Sequence, residues 1–282
     1  MADTGNYDIF TLMPLMDDQF LDQIVFDVSK SKRYRQVDAG LIRFVAQNEL
    51  PKRQNLKATV KAVKNKLHQV CGAYLEGKMP YASWLDEIQE ASHADQDAFK
   101  KVLRNTMEHH SSTRERLSVL DKFYATCLAG LPPIRSVLDL ACGLNPLAIP
   151  WMGLDDGALY LALDIYQDMM DFLAGALRFF PVEAHTITCN LVNACPTRLV
   201  ELALLLKTIP CLEQLESQAS ERLLDSLQAE VMLVSFPLRT LGGREVGMAT
   251  NYERRFLAIA ANKRWKIDRF EFNNELVFRV IK

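Results

Sequence analysis

Two aspartates that belong to short apolar runs are the residues of this sequence best suited to bind a ligand. Asp139 lies in the run SVLDL, and Asp164 directly follows the run LYLAL. The loop after the first run has one glycine, Gly143, at which the backbone can approach a ligand closely. A carboxylate after the second run can accept hydrogen bonds from both hydroxyls of a ribose. The pattern predicts a nucleoside site, although both aspartates could instead be polar strand ends or helix caps.

The same loop lacks the spaced glycines that a dinucleotide requires. A pyrophosphate rests on a helix N-terminus that is reached through a glycine-rich turn. Here the loop reads ACGLNP, and Pro146 stands where a helix would begin. The loop is therefore expected to hold a cofactor without phosphates.

Short apolar runs separated by helical stretches predict a parallel sheet that is covered on both faces. The expected strands are 136–140, 159–163, 184–188, 202–206 and 231–236, and the clearest helices between them are 167–180 and 211–227. The final segment, WKIDRFEFNNELVFRVIK, predicts two strands around Asn273-Asn274, because asparagine tolerates a tight turn. A Rossmann-like doubly wound α/β sheet with such a terminal antiparallel hairpin resembles the class I S-adenosylmethionine-dependent methyltransferase fold.

The residues before this sheet are predicted to form an α-helical N-terminal domain. Apolar residues recur at three- and four-residue steps from Leu56 to Val70, which is typical of one buried helix face. The other expected helices are 17–29, 36–48, 81–91 and 95–109. We therefore expect a helical domain over 1–110 and a methyltransferase-like domain over 111–282.

The helical part carries an excess of positive charge. The net charge of the whole chain is −2, but residues 29–68 hold eleven basic residues and only two acids. The expected polyanion-binding residues there are Lys30, Lys32, Arg33, Arg35, Lys52, Arg53, Lys57, Lys61, Lys64 and Lys66. A basic surface on an acidic body is typical of nucleic-acid binding, and the alternative is a set of solvated helix faces.

Composition bounds the remaining possibilities. Of the 282 residues 49% are hydrophobic, and no apolar run approaches the ~20 residues that span a membrane. The six cysteines form no CxxC pair, and the N-terminus lacks the features of a signal peptide. These observations favour a cytoplasmic protein without a zinc or other metal site.

The junction HHSSTRERL supports two interpretations. Ser112 and Glu115 fit a capping box, which predicts a helix that begins at Thr113. Alternatively, the side chains of His110, Ser112 and Arg116 donate hydrogen bonds to a carboxylate.

Four stretches together resemble the bacterial 16S rRNA guanine-N7 methyltransferases of the aminoglycoside-resistance type. They are HSSTRERL, VLDLACGLNPLAIPWM, LALLLKTIPCLEQ and VSFPLRTLGGREVGMATNYE, and the resemblance covers roughly residues 50 to 282. SFPLRTLGGREVGM is the most specific segment, and ACGLNP is the next. The resemblance implies methyl transfer from S-adenosylmethionine to N7 of a guanine in the decoding A site of the small ribosomal subunit. It implies aminoglycoside resistance as the outcome.

The resemblance also implies a set of cofactor-binding residues. His110, Ser112 and Arg116 join the pocket near the methionine carboxylate. The full expected set is His110, Ser112, Arg116, Asp139, Ala141, Gly143, Asn145, Asp164, Ile165, Asn190 and Leu191. One position departs from the family, which usually carries an acid after the third strand, near the adenine. Here that residue is Asn190, whose carbonyl can still accept a hydrogen bond.

The expected chemistry needs no general base. N7 of guanine carries an in-plane lone pair and no proton, so catalysis would rest on alignment of a base extracted from its stack. By resemblance, Met248 packs on the base, Arg239 and Arg244 hold flanking phosphates, and Lys207 and Glu275 reach the same region. Thr250 and Glu253 fit a second capping box.

Two other classes of protein remain open on sequence alone. One is a methyltransferase for another rRNA base or for a small molecule, which the basic segment disfavours. The other is a non-catalytic RNA-binding protein with a relic pocket. The expected partner is 16S rRNA in the small subunit, with neither a membrane nor a metal, and the expected state is a monomer.

Overall fold

The computed structural model describes residues 9–72, 74, 79–194, 196–238 and 248–282, with the backbone alone at 9–17, 248 and 249. The chain divides into two compact units, Met1–Gly72 and Ala73–Lys282. None of the helices in the described ranges is long and apolar enough to cross a membrane.

The first unit is helical, as expected. Its helices are α1 (Ile9–Ser29), α2 (Ala39–Glu49) and α3 (Leu56–Leu67), and a wider turn over His68–Gly72 continues the last. Asp38 caps α2 by accepting from Leu41 N at 2.7 Å, and Asn55 caps α3 by accepting from Ala58 N at 2.9 Å. The three helices pack on one another around an apolar core. This core includes Ile24, Val28, Ile42, Val45, Val63 and Leu67.

The second unit contains a seven-stranded sheet in the order β3-β2-β1-β4-β5-β7-β6. Its strands are β1 (Ser136–Leu140), β2 (Ala158–Asp164), β3 (Val182–Thr188), β4 (Val200–Leu206), β5 (Ala229–Pro237), β6 (Lys266–Phe272) and β7 (Glu275–Ile281). The first five are parallel, and β7 pairs antiparallel with both β5 and β6. The α/β class, the doubly wound order and the terminal hairpin are thereby confirmed.

Helices surround this sheet. They are α4 (Tyr81–Ala91), α5 (Gln96–Met107), α6 (Ser111–Arg116), α7 (Leu120–Cys127), α8 (Gln167–Ala176), α9 (Thr208–Leu215), α10 (Ala219–Ser226) and α11 (Met248–Ala260). Helix α4 packs on α8, and α5 packs on the 3₁₀ segment Asn145–Trp151 after β1. These contacts join α4 and α5 to the sheet, so the compact units divide after Gly72 rather than at the expected residue 110.

Both expected capping boxes are wrong. Helix α6 begins at Ser111 with His110 as its N-cap, and no side chain caps it. The Thr113 hydroxyl instead donates to the carbonyls of Met107, at 2.6 Å, and His110. Helix α11 already begins at Met248, so Thr250 lies inside it and cannot be its cap.

The single helix expected over 211–227 is also wrong, because α9 and α10 are separate. Glu216 is extended, with φ −152° and ψ 126°. Its carboxylate accepts from both terminal nitrogens of Arg222, at 2.6 and 2.7 Å. This paired interaction spans the break between the two helices.

Candidate functional site

The order of the strands places a crevice at one edge of the sheet. Strand β1 pairs with β2 on one side and with β4 on the other, so the chain reverses its direction of winding at β1. Ligands of doubly wound sheets bind beyond the carboxyl ends of the strands at this reversal. The ends of β1 and β2 and the loops after them lie at this edge. They carry six of the eleven expected cofactor-binding residues, namely Asp139, Ala141, Gly143, Asn145, Asp164 and Ile165.

Asp164 ends β2 and faces the glycine loop. Its Oδ2 accepts from Gly143 N at 2.9 Å, and its Oδ1 accepts from Ile165 N at 2.7 Å. Burial raises the pKa of the Asp164 carboxyl, while these backbone donors oppose the shift. Ala141 and Gly143 both have positive φ, 52° and 53°. The left-handed turn therefore aims the N–H of Gly143 at the carboxylate, which also accepts from the backbones of Ile165 and Tyr166.

Asp139 is buried within β1 and is only partly satisfied. Its Oδ2 accepts from Asn145 Nδ2 at 2.8 Å and from the Tyr160 hydroxyl at 2.7 Å. Its Oδ1 is buried and has no partner within the described residues. Burial raises the pKa of Asp139 to about 6, against the lowering effect of these two hydrogen bonds. The carboxylate thus has one oxygen available to a donor.

Arg116 and Glu275 form a buried ion pair across the unit. Each is 2% exposed, although 159 residues separate them. Arg116 donates from Nε and Nη2 to the two carboxylate oxygens of Glu275, at 3.1 and 2.7 Å. Its Nη1 donates to Asn145 Oδ1 at 2.9 Å, and its guanidinium lies 4.8 Å from the centre of the Phe123 ring.

The charges in this cluster reinforce one another. Burial alone would raise the pKa of Glu275, but Arg116 and Lys207 hold it below its ordinary value. Burial alone would lower the pKa of Arg116, but Glu275 raises it above its ordinary value. Asn145 connects the ion pair to Asp139, because its Oδ1 accepts from Arg116 and its Nδ2 donates to Asp139. The cluster therefore joins α6 and β7 to the loop after β1.

Lys207 lies at the end of β4 in a left-handed conformation, with φ 62°. It is 4% exposed, and its Nζ donates to Glu115 Oε2 at 2.5 Å and lies 3.8 Å from Glu275 Oε2. Its backbone N–H donates to the hydroxyl of Ser235 at 3.0 Å. Lys207 thus pairs with the half-buried Glu115 and Glu275 with the buried Arg116, and neither Lys207 nor Glu275 presents its own charge to the surface.

His110 is buried against the glycine loop. A Cβ placed at Gly143 would lie 2.5 Å from Cε1 of His110, so only glycine fits there. The ring stacks on Tyr74 at 6.1 Å between centroids, with 17° between the planes. Burial, followed by the charges of Lys207, Arg116 and Arg114, lowers the pKa of His110 to about 4. The ring is therefore neutral at neutral pH, and its buried Nδ1 has no partner among the described residues.

Asn190 follows β3 and is buried. Its Oδ1 accepts from Val192 N at 3.1 Å, and its Nδ2 has no partner within the described part of the chain. Leu191 is buried beside it, while Ile165 and Ser112 are half-buried. The structure thus brings the expected cofactor residues from α6, β1, β2 and β3 to one edge of the sheet.

Three buried polar atoms that lack a partner within the described part of the chain make this edge a candidate cofactor site. They are His110 Nδ1, Asp139 Oδ1 and Asn190 Nδ2. Buried polar groups are nearly always paired in folded proteins, so their partners are expected to come from a ligand. Together with the Asp164 carboxylate they offer both donors and acceptors, which suits a ligand with a ribose, a base and charged amino-acid groups. The donor set therefore fits S-adenosylmethionine.

The expected base-binding residues are only partly described. Arg239 and Arg244 lie outside the described residues, and Met248 begins α11 with its backbone alone described. Sequence reasoning missed four members of the buried cluster, namely Tyr124, Tyr160, Ser235 and, as a partner of Lys207, Glu115. Tyr160 lies within the apolar run of β2, which is the one local signal that it is buried.

The basic residues of the first unit are largely exposed. Arg43 pairs with Asp18 and Asp22, Lys52 and Arg53 pair with Glu49, and Lys30 pairs with Asp27. Seven others form no ion pair with any acid in the described ranges, namely Lys32, Arg33, Arg35, Lys57, Lys61, Lys64 and Lys66. Arg53, Lys61 and Lys66 border one groove of about 420 Å³. These unpaired charges remain available to a polyanion.

Comparisons with known proteins point to ribosomal RNA methyltransferases. The model of a family described as ribosomal RNA methyltransferase (FmrO) matches residues 30–279. A 16S rRNA (guanine(1405)-N(7))-methyltransferase of Micromonospora rosea is 37% identical over 268 residues, which cover 94% of this chain and 98% of the relative. A protein with the same description from Frankia casuarinae is 39% identical, over 93% of this chain and 94% of the relative.

A solved structure extends the likeness to three dimensions. The crystal structure of the 16S rRNA methyltransferase RmtF, in complex with S-adenosyl-L-homocysteine, is similar with a TM-score of 0.78 at 29% identity. The match covers 93% of this chain and 98% of RmtF. The likeness thus includes both the helical unit and the sheet unit.

Proposed function

The chain belongs to the FmrO family of ribosomal RNA methyltransferases, and from this premise we propose that it methylates N7 of a guanine in 16S rRNA. The methyl donor is S-adenosylmethionine, and the substrate is the decoding A site of the small ribosomal subunit. The observation that carries this proposal is the full-length similarity to guanine-N7 methyltransferases. The expected consequence is aminoglycoside resistance in a cytoplasmic, monomeric enzyme.

The cofactor supplies an electrophilic methyl group on a sulfonium, and the protein's own residues hold the cofactor in place. Asp164 accepts from the ribose hydroxyls, beside the hydrogen bonds that its carboxylate already accepts from the backbones of Gly143, Ile165 and Tyr166. The unpartnered Oδ1 of Asp139 accepts from the ammonium of the amino-acid portion. Ala141 and Gly143 bring the backbone close to the cofactor, since their left-handed turn removes any side chain from the approach.

Arg116 is pre-oriented to bind the carboxylate of the cofactor. A guanidinium has five N–H groups, and three of those in Arg116 are used by Glu275 and Asn145. One N–H on each terminal nitrogen remains for a carboxylate. His110 and Ser112 lie at the start of the same helix, α6, and complete this subsite. A fixed guanidinium loses little side-chain entropy on binding, which favours affinity.

The reaction on guanine needs alignment rather than proton removal. N7 has a free lone pair, so attack on the methyl group releases no proton. The neutral ring of His110 and the buried carboxylate of Asp139 are consistent with binding roles. Met248, Arg239 and Arg244 hold the extracted guanine and its phosphates, and alignment of this kind is worth several kcal/mol of barrier. Lys207 and Glu275 support the site from behind, since Lys207 pairs with Glu115 and Glu275 holds the Arg116 guanidinium in place.

The basic residues of the helical unit dock the enzyme on the ribosomal subunit. Double-stranded RNA is recognised mainly by its shape and its phosphates, and the unpaired cations in the first unit are suited to phosphates. This docking explains why the family joins a small helical unit to a sheet that already contains the cofactor site. The helical unit supplies affinity for the folded rRNA, while the sheet unit supplies the reaction.

The decisive experiment identifies the product base. Small ribosomal subunits are incubated with the enzyme and S-adenosylmethionine, and the extracted rRNA is treated with borohydride and then aniline. N7 methylation makes the guanine ring cationic and its glycosidic bond labile, so the strand should break at one guanine. Asp155→Asn, which alters an exposed loop residue, should give the same cleavage as the wild type. Methyl incorporation without cleavage would contradict methylation at guanine N7 and would indicate that another rRNA position is modified.

A further inference from the structure

We propose that Asn190 binds the adenine of the cofactor as a hydrogen-bond donor, and that it contacts a ring nitrogen rather than the exocyclic amino group. The inference rests on the proposed function, because it assumes that the ligand is S-adenosylmethionine or its product. It reverses the polarity that an acid would have at the same position. Asn190 then determines which part of the adenine edge the enzyme recognises.

The orientation of the Asn190 amide follows from its neighbours. Val192 N lies 3.1 Å from one amide atom of Asn190, and a backbone N–H can only donate. That atom is therefore the carbonyl oxygen, and the other is the NH₂ group. The NH₂ group is buried without a partner within the described residues, in a side chain that is 8% exposed.

A turn holds the amide rigidly in this orientation. The backbone carbonyl of Asn190 accepts from Asn193 N at 3.3 Å and from Ala194 N at 3.1 Å. The side-chain oxygen closes the same turn on Val192. Rotation of the amide by 180° would place two donors against each other, so the free donor stays directed away from the turn.

The position of Asn190 beside Asp164 fits a contact with the base. Strands β2 and β3 pair with Asp164 opposite Thr188, and Cys189 N donates to the backbone oxygen of Asp164 at 2.8 Å. Asn190 therefore lies one residue beyond this hydrogen bond, on the side of Asp164 that faces away from β1. If Asp164 holds the ribose, the adenine attached to that ribose can extend to this side and reach Asn190.

The chemistry of adenine selects the contact. The 6-amino group of adenine donates, whereas N1, N3 and N7 accept. A buried NH₂ opposite the amino group would leave two donors unsatisfied, and each buried unsatisfied donor carries the full cost of its desolvation. An aspartate at this position would accept from the amino group instead. Asn190 therefore pairs with a ring nitrogen.

The test measures binding of S-adenosyl-L-homocysteine and of its 1-deaza, 3-deaza and 7-deaza analogues by calorimetry. In each analogue one ring nitrogen is replaced by C–H, which cannot accept a hydrogen bond. The wild type should bind one analogue roughly tenfold more weakly than the parent compound and the others about as well as the parent. The analogue that binds weakly identifies the nitrogen that Asn190 contacts.

Two variants make the test specific to the Asn190 donor. Asn190→Ala should bind the sensitive analogue and the parent compound equally. Asn190→Asp keeps an acceptor for Val192 N and replaces only the donor. It should therefore also bind the sensitive analogue and the parent compound equally, and its melting temperature should stay close to the wild-type value. Equal discrimination in all three proteins, or none in the wild type, would overturn the proposal for Asn190. Failure of the wild type to bind any of the compounds would instead overturn the proposed function.

Discussion

Replacement of Glu275 by glutamine should destabilise the protein far more than its small chemical change suggests. Both oxygens of Glu275 accept hydrogen bonds. Oε2 accepts from Arg116 Nε, and Oε1 accepts from Arg116 Nη2 and from the Ser235 hydroxyl. A glutamine would present an NH₂ group to one of these donors. The replacement would also leave the buried guanidinium of Arg116 without its counter-charge.

The expected loss can be estimated from what the change leaves behind. Removal of one partner of a buried ion pair costs about 3–5 kcal/mol, because the remaining charge stays buried and uncompensated. Arg116 and Glu275 are both 2% exposed, so water cannot enter to replace the carboxylate without opening the cluster. Lys207 keeps its pairing with Glu115, which limits the damage to Arg116. We therefore expect Glu275→Gln to lower the free energy of unfolding by about 3 kcal/mol or more.

The pH dependence gives this prediction a sign. The pKa of Glu275 is lower in the folded protein than its ordinary value of 4.5. Its contribution to stability is therefore complete above about pH 4.5 and is lost as the pH falls through the folded-state pKa. The difference in stability between the wild type and Glu275→Gln should be constant near neutral pH and should shrink in acid.

Urea unfolding followed by circular dichroism at several pH values would measure both effects. Glu271→Gln is the matched control, because Glu271 pairs with Arg269 on an exposed strand, with both side chains 41% exposed or more. Exposed pairs contribute about 0–1 kcal/mol, so the control should be close to the wild type. A loss for Glu275→Gln below about 1 kcal/mol, equal to that of the control, would refute the interpretation of the buried cluster.

Asp164→Asn should weaken binding of S-adenosyl-L-homocysteine roughly tenfold to a hundredfold, since a charge-assisted hydrogen bond contributes ~1.5–3 kcal/mol; calorimetry that gives wild-type affinity would contradict the ribose assignment. Reversal of Lys57, Lys61 and Lys64 to glutamate should weaken binding to small ribosomal subunits and lower the log–log salt slope by roughly 0.7–0.9 for each phosphate that the protein no longer neutralises. The control is a variant with Lys101, Lys122 and Lys266 reversed to glutamate. If it changes the salt slope as much as the first variant, only the net charge of the protein affects binding. The pKa of His110 is lowered to about 4 in the folded protein, so between about pH 6.5 and pH 4 the unfolded chain takes up a proton that the folded protein does not, and the wild type should lose stability over this range. His110→Gln should not show this loss. Parallel pH profiles of wild type and variant in urea unfolding would contradict this.

Most of the sheet was predictable from sequence because its central strands β1, β2, β4 and β5 are buried on both faces. The run 136–140 coincides with β1, and the other expected strands differ from the observed ones by two residues or fewer at either end. Continuous apolar runs leave little choice of element when they are short and are separated by helical stretches. The terminal hairpin was equally clear, since Asn273-Asn274 lies between two alternating strands.

Helix ends and breaks were less predictable because a few local contacts decide them. Ser112 and Glu115 have the spacing of a capping box, but α6 already begins at Ser111, and within it the Thr113 hydroxyl donates to the carbonyl of Met107. The break after α9 lies at Glu216, which is extended and pairs with Arg222. No break in the apolar pattern of 211–227 marks this position.

Glu275 shows why the candidate site was only partly visible in the sequence. It follows a tight turn at the start of β7, where a glutamate is ordinarily solvated. The antiparallel pairing places Glu275 opposite Pro237 at the end of β5, beside the buried Ser235 hydroxyl and within reach of Arg116. Arg116 comes from α6, 159 residues earlier in the chain. The candidate pocket therefore depends on an ion pair between α6 and β7, which no local pattern in either element reveals.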